Sequence, residues 1–386
     1  MIWRTCWKQT DGRENSPARQ NCNLISEVIV ILTSIIIALI VIGMLVIAHE
    51  FGHFIVAKKS GIWVEEFAVG MGKKILSKQI GETEYTLRLF PLGGFCRMHG
   101  EMEDGEIDDR SFFAKSVPVR LAVMAAGPFM NFVLAIIMIF GISATSYIIE
   151  PEVTAIQEGY PAAQIGLQEG DVVYSINGKR IHIYDEMQNF MYQNGGTPIE
   201  LGILRDGSVY LYEITPQYSE ETGSYLVGFT PKVVTGLFAD SVEGYEEASV
   251  LDTIEYSYFA MLNYIKVTAQ GLARVFTFTA SQDEYGGPIS IIQVVGDSYE
   301  VGISYSVKAA IQNVVYVAAV LSANLGVLNL FPIPALDGGR ILLLLIEGIR
   351  RKPLPVEMEN RIQYAGFLFL MGFMVFVMYT DITKIL

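Results

Sequence analysis

VIVILTSIIIALIVIGMLVIAHEFGHFIVAKK, residues Val28 to Lys59, decides how the chain is read. The run Val28–Ala48 carries no charge and is long enough to cross a bilayer, which takes about 20 residues of helix. Its isoleucines and valines would favour strand in water, but in lipid the backbone must bond within the segment, so helix is expected. The run is too long for a signal peptide and lacks a small-residue cleavage site. Directly after it stands His49-Glu50-Phe51-Gly52-His53. On a helix the two histidines share a face, so both imidazoles can reach one ion, and Glu50 lies one position round, near a water on that ion. Neutral imidazole, tetrahedral geometry and an open position fit Zn2+, which lowers the pKa of water to about 7.

The rest of the composition agrees with a membrane setting. Of 386 residues 51% are hydrophobic and 18% charged, outside the usual range of soluble enzymes. A net charge of −14 with no basic face argues against nucleic acid as a partner. Cys6, Cys22 and Cys96 are too few and scattered for a disulfide framework or a Cys-based zinc site. Three further spans are expected, at about Leu121–Ile149, Ala309–Phe331 and Ala365–Tyr379, the second opening with Gly127, Pro128 and Asn131. Lys and Arg cluster between spans one and two, from Lys58 to Lys115, and between three and four, from Arg340 to Arg361. Both loops therefore read as cytoplasmic, with Glu150–Lys308 and the termini outside. Arg4, Lys8, Arg13 and Arg19 before the first span pull the other way.

Residues 151 to about 235 change character, with turn signals at short spacing and alternating apolar residues that predict short strands. Within them AIQEGYPAAQIGLQEGDVVYSINGKRI, Ala155–Ile181, resembles the PDZ family through Gly166-Leu167, Gly170-Asp171 and Asn177-Gly178. Such a module takes an extended peptide, often a C-terminus, by strand addition beside a helix. Asn177-Gly178 suits a turn with positive φ. Beyond it, Tyr245–Phe278 has the periodicity of an amphipathic helix lying on a membrane surface.

Two histidines do not complete a catalytic metal site. His99 follows the cytoplasmic loop and His182 lies in the external module, so the better third ligand is Asp337, in NLFPIPALDGGR. The first and third spans both run inward and bring His53 and Asp337 to one depth. Taken singly, Asp337-Gly338-Gly339 also reads as a helix-ending turn. Ionisable groups at membrane depth are costly and usually functional, and here three ligands and a base converge.

HEFGHFIVAKKSGIWVEEFAVGMGKKI, AAGPFMNF and NLGVLNLFPIPALDGGRI, with the single PDZ-like insert, resemble the bacterial site-2 protease family of intramembrane zinc metalloproteases. The likeness runs from about Ile25 to Leu386. It implies a polytopic α-helical membrane protein with four transmembrane helices, a membrane-associated β-hairpin element and one extracytoplasmic PDZ-like β-rich domain. The expected division is an N-terminal extension (1–24), the first half of a membrane core (25–149), the PDZ-like domain (150–235), an amphipathic linker region (236–305) and the second half of the core (306–386). The resemblance makes His49, His53 and Asp337 the zinc ligands and Glu50 the catalytic base. It makes Asn324, Asn329, Pro332 and Pro334 substrate-binding, with Gly93 and Gly94 in a re-entrant hairpin at Leu87–Met98. The implied substrates are single-span membrane proteins of the anti-sigma-factor type, or remnant signal peptides, cut in the cytoplasmic membrane near its inner face. Two other readings remain at this point: a membrane-anchored PDZ adaptor with a structural metal, and a metal transporter.

Overall fold

The computed structural model describes residues 17–101, 108–277, 279 and 286–385. Of the expected N-terminal extension, residues 1–16, with Arg4, Lys8 and Arg13, lie outside the described residues. Two compact units emerge: Met1–Leu134 with Thr277–Leu386, and Ala135–Phe276.

The first unit begins with α1 (Pro17–Lys59), followed by β1 (Val64–Ile80), β2 (Thr83–Met98), a 3-10 turn (Phe112–Ala114) and α2 (Val117–Thr145), whose end passes into the second unit. In α1, Ser34, Ala38, Val41, Leu45, His49, His53 and Ala57 form one buried stripe, while Ile36, Ile40, Met44, Ile47 and Phe51 are exposed. Steps of three and four residues put these groups on opposite sides of the helix. The apolar span does not stop at Ala48 but continues as helix to Lys59, so the histidines lie within it.

The strands β1 and β2 form an irregular antiparallel sheet larger than the Leu87–Met98 hairpin expected from sequence. Residues 64–69 pair with 94–98 on one side and with 84–87 on the other, and 74–80 pair back onto 83–88. Glu66, 2% exposed, sits at the centre, accepting from Thr86 Oγ1 and Arg88 Nη2, each at 2.6 Å. Burial alone would raise its pKa, but these donors outweigh it and hold the carboxyl below its ordinary value.

The second unit holds β3 (Tyr147–Ile156), α3 (Pro161–Gln164), β4 (Val172–Ile176), β5 (Lys179–Arg180), α4 (Tyr184–Asn194), β6 (Ile199–Arg205) and β7 (Ser208–Ile214). It continues through β8 (Gln217–Ser219), β9 (Ser224–Leu226), β10 (Phe229–Thr235), β11 (Glu246–Glu247) and α5 (Val250–Phe276). Its main sheet runs β11-β10-β3-β4-β6-β7, with β5 paired to β4 and only β10–β11 parallel. Val153, Val173, Ile176, Leu201 and Ile203 bury one face of the sheet with Met187 and Met191 of α4. Asn177 and Gly178 take φ of 48° and 72° between β4 and β5, the expected turn. Ile148 and Ile149, which the hydropathy assigns to the second span, instead pair with Val234 and Val233. The expected helix Tyr245–Phe278 starts only at Val250, because Glu246–Glu247 join the sheet.

The first unit resumes with α6 (Pro288–Tyr305), α7 (Val307–Leu330), α8 (Asp337–Arg350) and α9 (Val356–Ile385). Four helices among the described residues are long and apolar enough to cross a membrane: Val28–Lys59, Val117–Thr145, Val307–Leu330 and Glu357–Lys384. The helix α6 is not distinguished in the sequence. Its N-terminus is capped from α9: Asp381, 1% exposed, accepts from the backbone N–H groups of Gly287, Ile289 and Ser290 and from the Ser290 hydroxyl. Asp381→Ala leaves those donors without an acceptor, at a cost of about 1–3 kcal/mol. Amide hydrogen exchange at Ile289 and Ser290 should accelerate accordingly, and unchanged protection there would refute the capping role.

Candidate functional site

The buried stripe of α1 sets the site. His49 and His53 are 8% and 6% exposed and stand one turn apart, their Nε2 atoms 3.2 Å from each other. Asp337, the first residue of α8, brings Oδ2 to 3.0 Å from His49 Nε2 and 3.3 Å from His53 Nε2. Among the described residues this is the one group of three or more His, Cys, Asp or Glu side chains whose ligand atoms converge, all within 4.8 Å. Donors held about 2.0–2.1 Å from one tetrahedral ion stand roughly 3.3 Å apart, so the three atoms already have the spacing of three corners of a zinc site. Three protein ligands leave a fourth corner open.

One face of α2 supports both imidazoles. Val123, Gly127 and Asn131 recur every four residues and so lie in line. His53 Nδ1–H donates to the Val123 carbonyl at 2.8 Å, which leaves Nε2 with a free lone pair. The Asn131 amide lies 3.1 Å from His49 Nδ1. Between them, a Cβ on Gly127 would stand 2.3 Å from His53 Nε2 and 2.8 Å from His49 Cε1, so only glycine leaves space for the rings. The sequence marks Gly127 and Asn131 as packing or polar-contact residues; their tie to histidines some eighty positions away arises only in the fold.

The approach to Asp337 is shaped by a turn. Asn324 and Asn329 are half-buried on α7; Pro332 and Pro334 lie in the connection to α8, Pro334 against Gly366 of α9. These four precede Asp337 along the chain. The Gly338-Gly339 pair does not end a helix, as the sequence alone allowed, but begins one. A Cβ on Gly338 would lie 2.1 Å from the Phe331 carbonyl oxygen, and one on Gly339 would lie 2.4 Å from that of Ile333. The pair therefore lets the preceding turn fold back onto the first turn of α8. In that turn Arg340 pairs with Glu101. Partial burial works against the Arg340 charge, but Glu101, with Asp337 and Glu359, more than compensates and keeps its pKa above the ordinary value.

Glu50 is half-buried, one position round from His49. Gly94 of β2 lies beside it: a Cβ there would be 3.4 Å from Glu50 Cγ and 3.2 Å from Val46 Cγ1. Gly93, with φ of 84°, packs against Met71. The edge of the β1–β2 sheet thus reaches the carboxylate that accompanies the histidines.

Peptidase family M50 matches residues 37–373. A zinc metalloprotease of Clostridium perfringens is 39% identical over 349 residues, covering 90% of this chain and 98% of that protein. The regulator of sigma-W protease RasP of Bacillus subtilis is 29% identical over 434 residues, covering 91% and 99%. Among solved structures, the PDZ domain of an SdrC-like protein from Listeria monocytogenes aligns with 21% of this chain and 84% of that one, at 18% identity and a TM-score of 0.19.

Gly127→Ala adds a methyl group where the imidazoles meet, while raising helix propensity by about 1 kcal/mol. The variant should fold yet bind zinc at least ~10-fold more weakly, by the magnitude usual for disturbed ligand orientation. Chelator competition on the purified chain measures this, and wild-type affinity in Gly127→Ala would contradict the geometry.

Proposed function

The chain belongs to peptidase family M50, and from that premise we propose that it is a zinc-dependent intramembrane endopeptidase cutting transmembrane segments of single-span membrane proteins. The observation that carries this reading is the convergence of His49, His53 and Asp337 at tetrahedral spacing on the buried face of a membrane-length helix, with Glu50 alongside. A structural zinc would be closed by a fourth protein ligand and would have no use for Glu50. A transporter would more often show repeated, broken helices.

His49, His53 and Asp337 would hold the metal. When bound, zinc supplies Lewis acidity, polarising the scissile carbonyl and making water acidic enough to attack near neutral pH. Glu50 takes the proton of the attacking water and returns it to the departing amide nitrogen. Val123 and Asn131 keep the rings from turning away. The β2 edge at Gly93-Gly94 lies beside Glu50, where an extended segment can add as a strand. Such exposure is required because a peptide bond within a helix is shielded. Asn329, with Asn324 and the Pro332–Pro334 turn, offers polar groups and proline-interrupted backbone to hold the unwound segment. In this reading the loops bearing Lys58–Lys115 and Arg340–Arg361 face the cytoplasm, and the second unit lies outside. Substrates of the anti-sigma-factor type or remnant signal peptides suit that arrangement.

Glu50→Gln should retain zinc while losing at least ~10²–10⁴-fold in cleavage of a membrane-embedded reporter. Undiminished cleavage in that variant, or in wild type stripped of zinc by a chelator, would rule out the mechanism.

The PDZ-like role rests on a cavity of about 540 Å³ between α4 and the β9–β10 segment, lined by Tyr184, Met187, Met191, Leu226 and Phe229. Among the described residues, β10 pairs on its β11 side only at Val234 and Thr235, so its edge beside this cavity is available. An extended peptide ending in an apolar residue fits there. Leu226→Glu, at a half-buried position of the cavity lining, should weaken binding of such a peptide to the full chain at least ~10-fold. Equal binding by the two proteins would show that the groove is not the docking site.

A further inference from the structure

We infer that Asn131 is the positioning residue that selects the tautomer of His49 and so tunes metal affinity, an inference that rests on the zinc reading above. Asn131 is fully buried, and its place is fixed by a second helix: Ser322 Oγ of α7 donates to the Asn131 carbonyl at 2.8 Å. Next to it, Phe132 fills the space left by Gly326, where a Cβ would be 2.6 Å from the ring. The backbone that carries the Asn131 side chain is therefore held in place beside His49.

In the structure, Asn131 Nδ2 faces His49 Nδ1 at 3.1 Å, while Asn131 Oδ1 is buried without a partner. A donor at Nδ1 requires the imidazole proton on Nε2, the atom that points to Asp337 Oδ2. A metal ligand at Nε2 needs the opposite tautomer, with the proton on Nδ1. A half-turn of the amide exchanges oxygen for nitrogen without moving the backbone, and Oδ1 then accepts Nδ1–H and leaves Nε2 with its lone pair. Either orientation leaves one amide atom unpaired, so the imidazole decides the balance. His53 has no such freedom, since the Val123 carbonyl can only accept. The two imidazoles thus differ: the partner of His53 can only accept, whereas the amide facing His49 offers either a donor or an acceptor.

The test uses the full-length protein in detergent. Asn131→Leu, close in shape but without an acceptor, should weaken zinc binding ~10–100-fold in chelator competition. Asn131→Asp, which can only accept, should restore affinity to within a few-fold of wild type. A purely structural role would weaken both alike. In ¹⁵N-histidine spectra of zinc-loaded wild type, His49 should carry its proton on Nδ1. Wild-type affinity in Asn131→Leu, or an unprotonated His49 Nδ1 in the loaded protein, would overturn the inference. His49→Ala tests the underlying site separately: if it binds zinc as wild type does, the zinc reading itself fails.

Discussion

Two imidazoles on a membrane-length helix must face inward, and each must find a partner for its second ring nitrogen. Polar atoms left unpaired in an apolar surround cost several kcal/mol. The buried stripe from Ser34 to Ala57 meets the first demand, and a single face of α2, from Val123 to Asn131, meets the second. The remaining framework of the first unit holds those two helices in register. Gly52 contributes directly, since a Cβ there would be 2.2 Å from the Ala126 carbonyl oxygen.

That constraint passes outward through α2. On one side Ser322 and Gly326 fasten α7 against it. On the other, Arg120 pairs with Glu347 of α8, and both side chains are largely buried. An ion pair so placed contributes fit more than net stability, because desolvation consumes much of the attraction, while loss of one partner strands the other. The helix α8 is thus held near its end by Arg120 and near its start by the Arg340–Glu101 pair, and its first residue is Asp337. The carboxylate reaches the imidazoles as the terminus of a rigid element rather than as part of a free loop.

How much of this is legible in sequence depends on distance along the chain. The pairing of His49 with His53 is local and follows from helical spacing. Asp337 follows from matching the depth of two spans. Asn131 is visible only as a polar residue in an apolar run, since its partner is fixed by packing. The strand Val64–Ile80 is concealed because Lys73, Lys74 and Lys78 interrupt any regular alternation, and its pairing doubles back on β2 with repeated register shifts. The helix α6 is masked by Asp297 and Glu300, which break its apolar pattern. Glycine misleads at Gly338-Gly339: its usual meaning at a helix end is conformational freedom, whereas here it supplies clearance for two carbonyls.

The composition of the site also follows from charge. Two neutral imidazoles and one carboxylate around a divalent ion leave a net charge of +1, and Glu50 beside them brings the cluster to zero. A third histidine in place of Asp337 would leave +1 on the whole cluster in an apolar interior, where an uncompensated charge is expensive. Two carboxylate ligands would leave −1 on the whole cluster, again uncompensated. In the proposed reading one carboxylate would sit at the metal and one beside it, so the cluster as a whole would carry no uncompensated charge. Because the proton Glu50 would take comes from the attacking water, the total charge of site and water would not change, and the negative charge left on the nucleophile would lie beside the divalent ion the three ligands would hold. The pairing of Asp337 with Glu50 would in this sense be a single electrostatic arrangement, divided between the first residue of α8 and the last third of α1.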